Sequence, residues 1–331
     1  MIKAESTNEE LKTPRVNVRI RPLLFNELER VVEEKGMDIM NYVNESSLVL
    51  DKESESFKME KVFNSNISQS KFYEEFVKES VSEVIALGET RAFIFFGEKG
   101  TGKTYSLLGG LSESESFGAL VRATREIFSY FETTKIEAGV HMSISEIDVE
   151  EEREKVKLSK LTILNYAHFF EIINFYNESI QRENSCISLE VIRKSELDNL
   201  MGKLLFVKLN GNDEFRNLMI LEKNRGFIAR NFLNLTSAVN ILLTCSGYSE
   251  SIDQTKLSLN LAEKYKRKRK CLKNEKNDEK DKKIKELEFD LSECRDKLLV
   301  YQEAWNLKSQ KENFQSLGVG SSSIINECFS S

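Results

Sequence analysis

Eight consecutive residues, Gly97-Glu98-Lys99-Gly100-Thr101-Gly102-Lys103-Thr104, fit the spacing GxxxxGK[ST] in full. Each residue type answers a physical demand. Glycines let successive backbone N–H groups converge on one anion, and a helix starting at the end of the loop adds its dipole. Lys103 supplies a point charge for the β and γ phosphates of a nucleotide, and the Thr104 hydroxyl can reach Mg2+. A chance match in a glycine-containing turn is the competing explanation. Such a loop hydrolyses nothing alone. It needs an acid at the end of a neighbouring strand and segments that sense the γ phosphate. The apolar run Leu204–Val207 is the natural candidate for that strand. Where the acid is expected, the chain reads Lys208-Leu209-Asn210-Gly211-Asn212-Asp213.

Several segments could position this loop. Ala92–Phe96 (AFIFF) leads into it as a continuous apolar run, the pattern of a central strand buried on both faces. The YSLL that follows it suits a helix. Val16–Arg21 alternates apolar and charged residues like a half-buried strand, and Phe57–Phe63 resembles it. Gln69–Leu87 carries Phe72, Phe76, Val77, Val81, Val84 and Ile85 at helical spacing, which predicts one amphipathic helix. Gly118–Phe131 is helical in period, while Val140–Ile147 and Ile187–Ile192 alternate like strands. The acidic run Glu150–Glu154 reads as an exposed loop. This is the texture of an α/β domain.

Composition sets the outer limits. The chain has 331 residues, 40% hydrophobic and 31% charged, so a sizeable core is possible but part of the chain must be solvated. Five scattered cysteines without a CxxC pair, and two histidines, argue against a zinc site and a disulfide framework. His141 and His168 read as structural residues. No apolar run follows the first Met, and none approaches the roughly 18 residues of a membrane span. The net charge of −6 argues against general nucleic-acid binding. The expectation is a soluble intracellular protein without a membrane or nucleic-acid partner.

The organisation follows from these shifts: a flexible leader (1–14), a phosphate-loop head (15–262), a charged basic segment (263–283), a helical segment (284–313) and a disordered tail (314–331). Ile284, Leu287, Leu291, Cys294, Leu298, Tyr301 and Trp305 form an a/d seam. That seam suits either a coiled-coil homodimer through 284–305 or an amphipathic helix packing back on the head. The run KYKRKRK (264–270) reads as a solvated helix, a basic neck or a nuclear-localisation patch.

Taken in chain order, these landmarks resemble the kinesin motor domain. Val18-Arg19-Ile20-Arg21-Pro22-Leu23 resembles its first strand and RxRP motif, which implies that Arg19 and Pro22 pack around the base. GEKGTGKTYSLLGG resembles GQTGSGKTYTM…G, so Tyr105 matches the ring that stacks on adenine. Val62-Phe63 with Gln69 and Tyr73, then Phe117–Ala123 and Ser143–Glu150, resemble the VF…Q…VY, GIIPRA and SYLEIYNE segments. Beyond residue 150 the likeness is patchy. Asn177–Ser185 (NESIQRENS) falls on switch I, NxxSSRSH: Asn177 and Arg182 match, and Gln181 replaces the serine that helps hold Mg2+. KLNGND falls on switch II, DLAGSE. Gly211 would keep the γ-phosphate amide, Asp213 would pair with Arg182, and Lys208 replaces the Mg2+-linked Asp. Asn224–Asn240 resembles the relay helix, and Thr244–Lys264 the last strand and helix. The intervening YRDSKLTRLL stretch has no counterpart.

The resemblance implies a three-layer α/β/α P-loop head with a mostly parallel sheet, binding ATP with Mg2+. The nucleotide would be held by Arg19, Pro22, Gly97, Glu98, Lys99, Gly100, Thr101, Gly102, Lys103, Thr104 and Tyr105, the metal by Thr104. Arg182, Gly211 and Asp213 would act in catalysis. Microtubules (tubulin) would be the partner, in the cytoplasm or at the nucleus or spindle. The substitutions at 181 and 208 leave two functions open, a microtubule motor or ATPase and a hydrolysis-impaired nucleotide-binding scaffold.

Overall fold

Strands that are apolar on both faces need cover on both sides, and this chain supplies it. In a computed structural model, the described residues are 15–24, 27, 40–44, 46–50, 55–148, 153–194, 199–217, 238–246 and 253–266. Their strands are β1 (Arg15–Arg21), β2 (Met40–Asn44), β3 (Ser47–Leu50), β4 (Glu55–Lys58), β5 (Lys61–Phe63), β6 (Thr90–Phe96), β7 (Ala138–Asp148), β8 (Arg153–Ile163), β9 (Ser185–Arg193), β10 (Leu200–Lys208) and β11 (Ala238–Ser246). Their helices are α1 (Gln69–Phe76), α2 (Lys78–Leu87), α3 (Lys103–Leu107), α4 (Ala119–Thr134) and α5 (Tyr166–Arg182), with further helical residues at 212–217 and 253–266.

Eight strands make one sheet in the order β5-β1-β11-β6-β10-β9-β7-β8. The half from β5 to β10 is parallel and contains the loop-bearing β6, between β11 and β10. Strands β9, β7 and β8 complete it in antiparallel pairing. The period of two sorts β6 cleanly: Ala92, Ile94 and Phe96 enter one core layer, Phe93 and Phe95 the other. One layer packs on α1, α2, α4 and α5, the other on residues of 253–266 such as Leu259 and Tyr265. The α/β/α expectation therefore holds. β2, β3 and β4 form a separate three-stranded antiparallel sheet.

Several boundaries differ from the sequence expectation. Phe57–Phe63 is not one strand. It splits at Met59-Glu60 into β4, in the small sheet, and β5, at the edge of the large one, because the Met59 and Glu60 amides bond to Ser46 and Val16 carbonyls, each at 2.9 Å. The single helix over 69–87 is broken at Val77, whose φ of −117° turns both Phe76 and Val77 into the core. Glu154 belongs to strand β8, so the acidic run is not wholly loop. Residues 238–240, expected in the relay helix, open strand β11 instead, where the apolar run AVNILL is buried between β1 and β6.

The helix at 253–266 runs through the expected head boundary at 262, and Tyr265 is buried against Phe215. Lys264 and Lys266 of the basic run lie on this helix. His141 meets Thr162 Oγ1 at 3.0 Å, and His168 Nδ1 accepts from the Leu164 amide, both local roles. The leader, the remainder of the relay segment and the a/d seam lie outside the described residues. Among those described, no helix is long and apolar enough to cross a membrane.

Candidate functional site

The phosphate loop leaves the C-terminal end of β6 with three glycines at positive φ: 136° at Gly97, 81° at Gly100 and 98° at Gly102. At Gly97 a Cβ would stand 2.1 Å from the Thr244 carbonyl oxygen, so the register of β11 beside β6 demands glycine there. Thr244 also ties the loop down. Its hydroxyl meets that of Thr101 at 2.8 Å, and Thr101 donates to the Glu98 carbonyl at 2.8 Å. Lys103 is 7% exposed, and its Nζ donates to the Gly97 and Glu98 carbonyls, both at 2.7 Å. Burial pushes its ammonium down to about 8, with Glu98 and Glu214 acting the other way. The group is still charged at neutral pH and aimed across its own loop.

Arg19 and Tyr105 lie beside each other, but not as two open walls around a base. Arg19 is 6% exposed, with its guanidinium 4.2 Å from the Phe72 ring centroid and 5.6 Å from that of Tyr105. It donates to Gln69 Oε1 (2.9 Å) and Ser106 Oγ (3.0 Å). Gln69 passes the connection on to the Tyr105 carbonyl at 2.6 Å. Burial holds the Arg19 guanidinium down to about 10. Arg19 thus fixes α1 and the start of α3. Tyr105 is half exposed and lines the cavity next to the loop, whereas Pro22 is exposed and neither it nor Arg19 is among the lining residues.

That cavity, about 640 Å³, is lined by Lys99, Gly100, Gly102, Lys103, Thr104 and Tyr105 on one side and by Gln181, Arg182, Lys208 and Asn210 on the other. The facing side is a hydrogen-bonded unit. Lys208, 1% exposed at the end of β10, donates to Gln181 O (3.3 Å), Glu183 O (2.9 Å) and Asn210 Oδ1 (2.6 Å). Asn210 Nδ2 donates to Arg182 O at 2.7 Å, and its amide to Asn184 Oδ1 at 2.7 Å. Burial, together with the nearby Lys103 charge, pushes Lys208 down to about 8.

The switch positions are placed differently from expectation. Asn177, Gln181 and Arg182 lie in the last two turns of α5. The expected Asp213–Arg182 ion pair is not formed. Arg182 pairs with Glu178 at 3.5 Å and Asp213 with Arg216 at 2.9 Å, because each finds its partner within one helical turn. Gly211 is half-buried and does not line the cavity. The next residue, Asn212, connects the phosphate loop to the far helix. It donates to Glu98 Oε1 at 2.5 Å and accepts from Ser258 Oγ at 2.9 Å.

The Mg2+ implied by the resemblance does not fit this donor set. Thr104 offers one hydroxyl to the cavity. Opposite it stands the Lys208 ammonium, a buried cation whose three N–H bonds are engaged. Among the described residues no carboxylate lines the cavity, and no group of three or more His, Cys, Asp or Glu is placed to hold a metal ion. Glu183 and Glu214 face a neighbouring cavity of about 510 Å³ with Glu146, Asp148 and Asp213.

Sequence reasoning missed Thr244, Gln69 and Asn210 as supports of the site. Two signals were available: a lone threonine late in an apolar strand, and the amide of Asn210 two residues after Lys208.

The Kinesin motor domain profile matches residues 19–181. The kinesin heavy chain of Drosophila melanogaster is 27% identical over 151 residues, 45% of this chain and 15% of that protein. The human kinesin-1 heavy chain is 28% identical over the same length and shares. The kinesin-like protein KIN-5B of rice (Oryza sativa subsp. japonica) is 29% identical over 143 residues, 41% of this chain and 14% of that one. The chain thus spans about 15% of the length of these curated relatives. A solved structure described as that of a fast kinesin aligns with a TM-score of 0.62 at 17% identity, over 77% of this chain and 91% of that one, a likeness of fold.

Proposed function

We propose that this chain carries a divergent kinesin motor domain and is a microtubule-associated protein that holds ATP at the 97–104 loop while hydrolysis is impaired. The observation that carries the proposal is Lys208. Where the family resemblance implies an acid linked to the metal, a buried ammonium is bonded to the turn after α5. In the family mechanism, loss of the γ phosphate releases two switch segments. In this chain, Lys208 and Asn210 tie the corresponding segments together through bonds that need no nucleotide. Arg182 and Asp213 are engaged elsewhere, which removes the expected ion pair between them.

ATP would lie with its phosphates against Lys103 and Thr104 and its base toward Tyr105. The partner would be tubulin in cytoplasmic microtubules. A dimer through 284–305 would bring two heads to one filament.

A second reading is a weak but genuine motor ATPase. It is favoured by the intact phosphate loop and by a family match that extends to Gln181. Steady-state ATPase with and without microtubules separates the two, with a Lys103→Ala control for binding. The expected result is nucleotide binding lost about 100-fold in Lys103→Ala and no stimulated turnover in the natural chain. Turnover stimulated by microtubules would establish the motor instead. Absence of pelleting with microtubules in either ADP or AMP-PNP would remove the microtubule partner.

A further inference from the structure

The two cavities beside the phosphate loop share Arg182, and only the second has carboxylates in its lining. The loop cavity carries Lys99, Lys103, Arg182 and Lys208, and no carboxylate lines it. Three acids act on these lysines from outside the lining, Glu98 and Glu214 on Lys103 and Glu183 and Glu214 on Lys208. Glu98 Oε1 accepts from Asn212, and Glu183 accepts from Lys157 Nζ at 3.2 Å and Ser179 Oγ at 2.7 Å. A nucleoside triphosphate carries about four negative charges at neutral pH and ordinarily meets a protein with a divalent ion that neutralises part of them. Here the protein already holds that charge. Lys208 is fixed by three oxygen acceptors at the end of β10, and a fixed cation in the cavity lining acts on a phosphate without a direct hydrogen bond. A divalent ion entering the same place would be repelled by it.

We propose that the loop cavity binds its nucleoside polyphosphate free of divalent metal, with Lys208 supplying the positive charge that a metal ion would otherwise bring. This rests on the nucleotide-binding reading of the 97–104 loop and adds its ligand form: the free polyphosphate anion, not its magnesium complex.

The test is calorimetric titration of the full chain with ATP, once in excess EDTA and once in excess Mg2+. Affinity in EDTA is expected to equal or exceed that in Mg2+. Lys208→Met, which keeps the stem and removes the charge, is expected to lose about tenfold in EDTA and to bind more tightly with Mg2+ than without. If that variant does not fold, as judged by its thermal melt, the two titrations of the natural chain decide the question. Binding that needs Mg2+ by tenfold or more in the natural chain overturns the inference and leaves the nucleotide site standing. No binding in either condition overturns both.

Discussion

The phosphate loop and the segments facing it occupy the same end of one sheet, yet they are held in different ways. On the loop side, backbone geometry dominates: positive-φ glycines, a close approach to Thr244, and Lys103 bonded to its own loop carbonyls. On the facing side, side-chain bonds dominate, with Lys208 and Asn210 joining β10 to the turn after α5. The family match covers the first region and ends at Gln181, where the second begins. An anion-binding loop needs only a backbone shape. A switch needs segments whose bonds change with the ligand, and the facing side is joined by bonds between β10 and the end of α5.

The largest effect is expected on the loop side. Gly97→Ala must place a methyl against the Thr244 carbonyl at a φ of 136°, and should cost about 3 kcal/mol or more of stability in urea unfolding. A loss under about 1 kcal/mol would mean that the loop is held more loosely than β11 requires.

The two lysines give an intermediate effect with opposite signs for folding and binding. Lys103 and Lys208 have both been lowered from 10.5 to about 8. Between those values the unfolded chain holds more protons, so their contribution to stability rises with pH from about 8 to 10.5. Phosphate binding needs them charged, so affinity should fall roughly tenfold between about pH 7 and 9. Glu98 and Glu214 face Lys103, and Glu183 and Glu214 face Lys208. Melts and titrations over this range should therefore move in opposite directions, and Lys208→Met should flatten both slopes. Parallel movement would contradict the charged cavity.

The smallest effect belongs to Asp213. Its side chain is 80% exposed and paired to Arg216 one turn away, so Asp213→Ala should change stability by no more than about 0.5 kcal/mol. A larger loss in urea unfolding would show that Asp213 reaches beyond its own turn.

Much of the loop side was legible because its constraints are local. GxxxxGKT after AFIFF names a strand, a turn and a helix start within about a dozen residues, and all three are present. The supports came from far along the chain. Thr244 meets Thr101 only through the parallel pairing of β11 with β6, which no local period reveals. The break at Val77 and the split at Met59-Glu60 likewise depend on which core layer each residue fills. Arg19 was assigned to the base by resemblance, but its burial against Phe72 gives it a different neighbourhood. Lys208 was visible as a departure from the family pattern. Its bonds to the turn after α5 were not, because they depend on β9 pairing with β10.

The central claim is that a phosphate-binding loop persists beside segments that no longer respond to the γ phosphate. It is tested most directly by loading the full chain with γ-labelled ATP, adding microtubules in the presence of Mg2+, and following phosphate release through one turnover. The account predicts bound ATP that remains intact with no burst of phosphate. A burst accelerated by microtubules would contradict it.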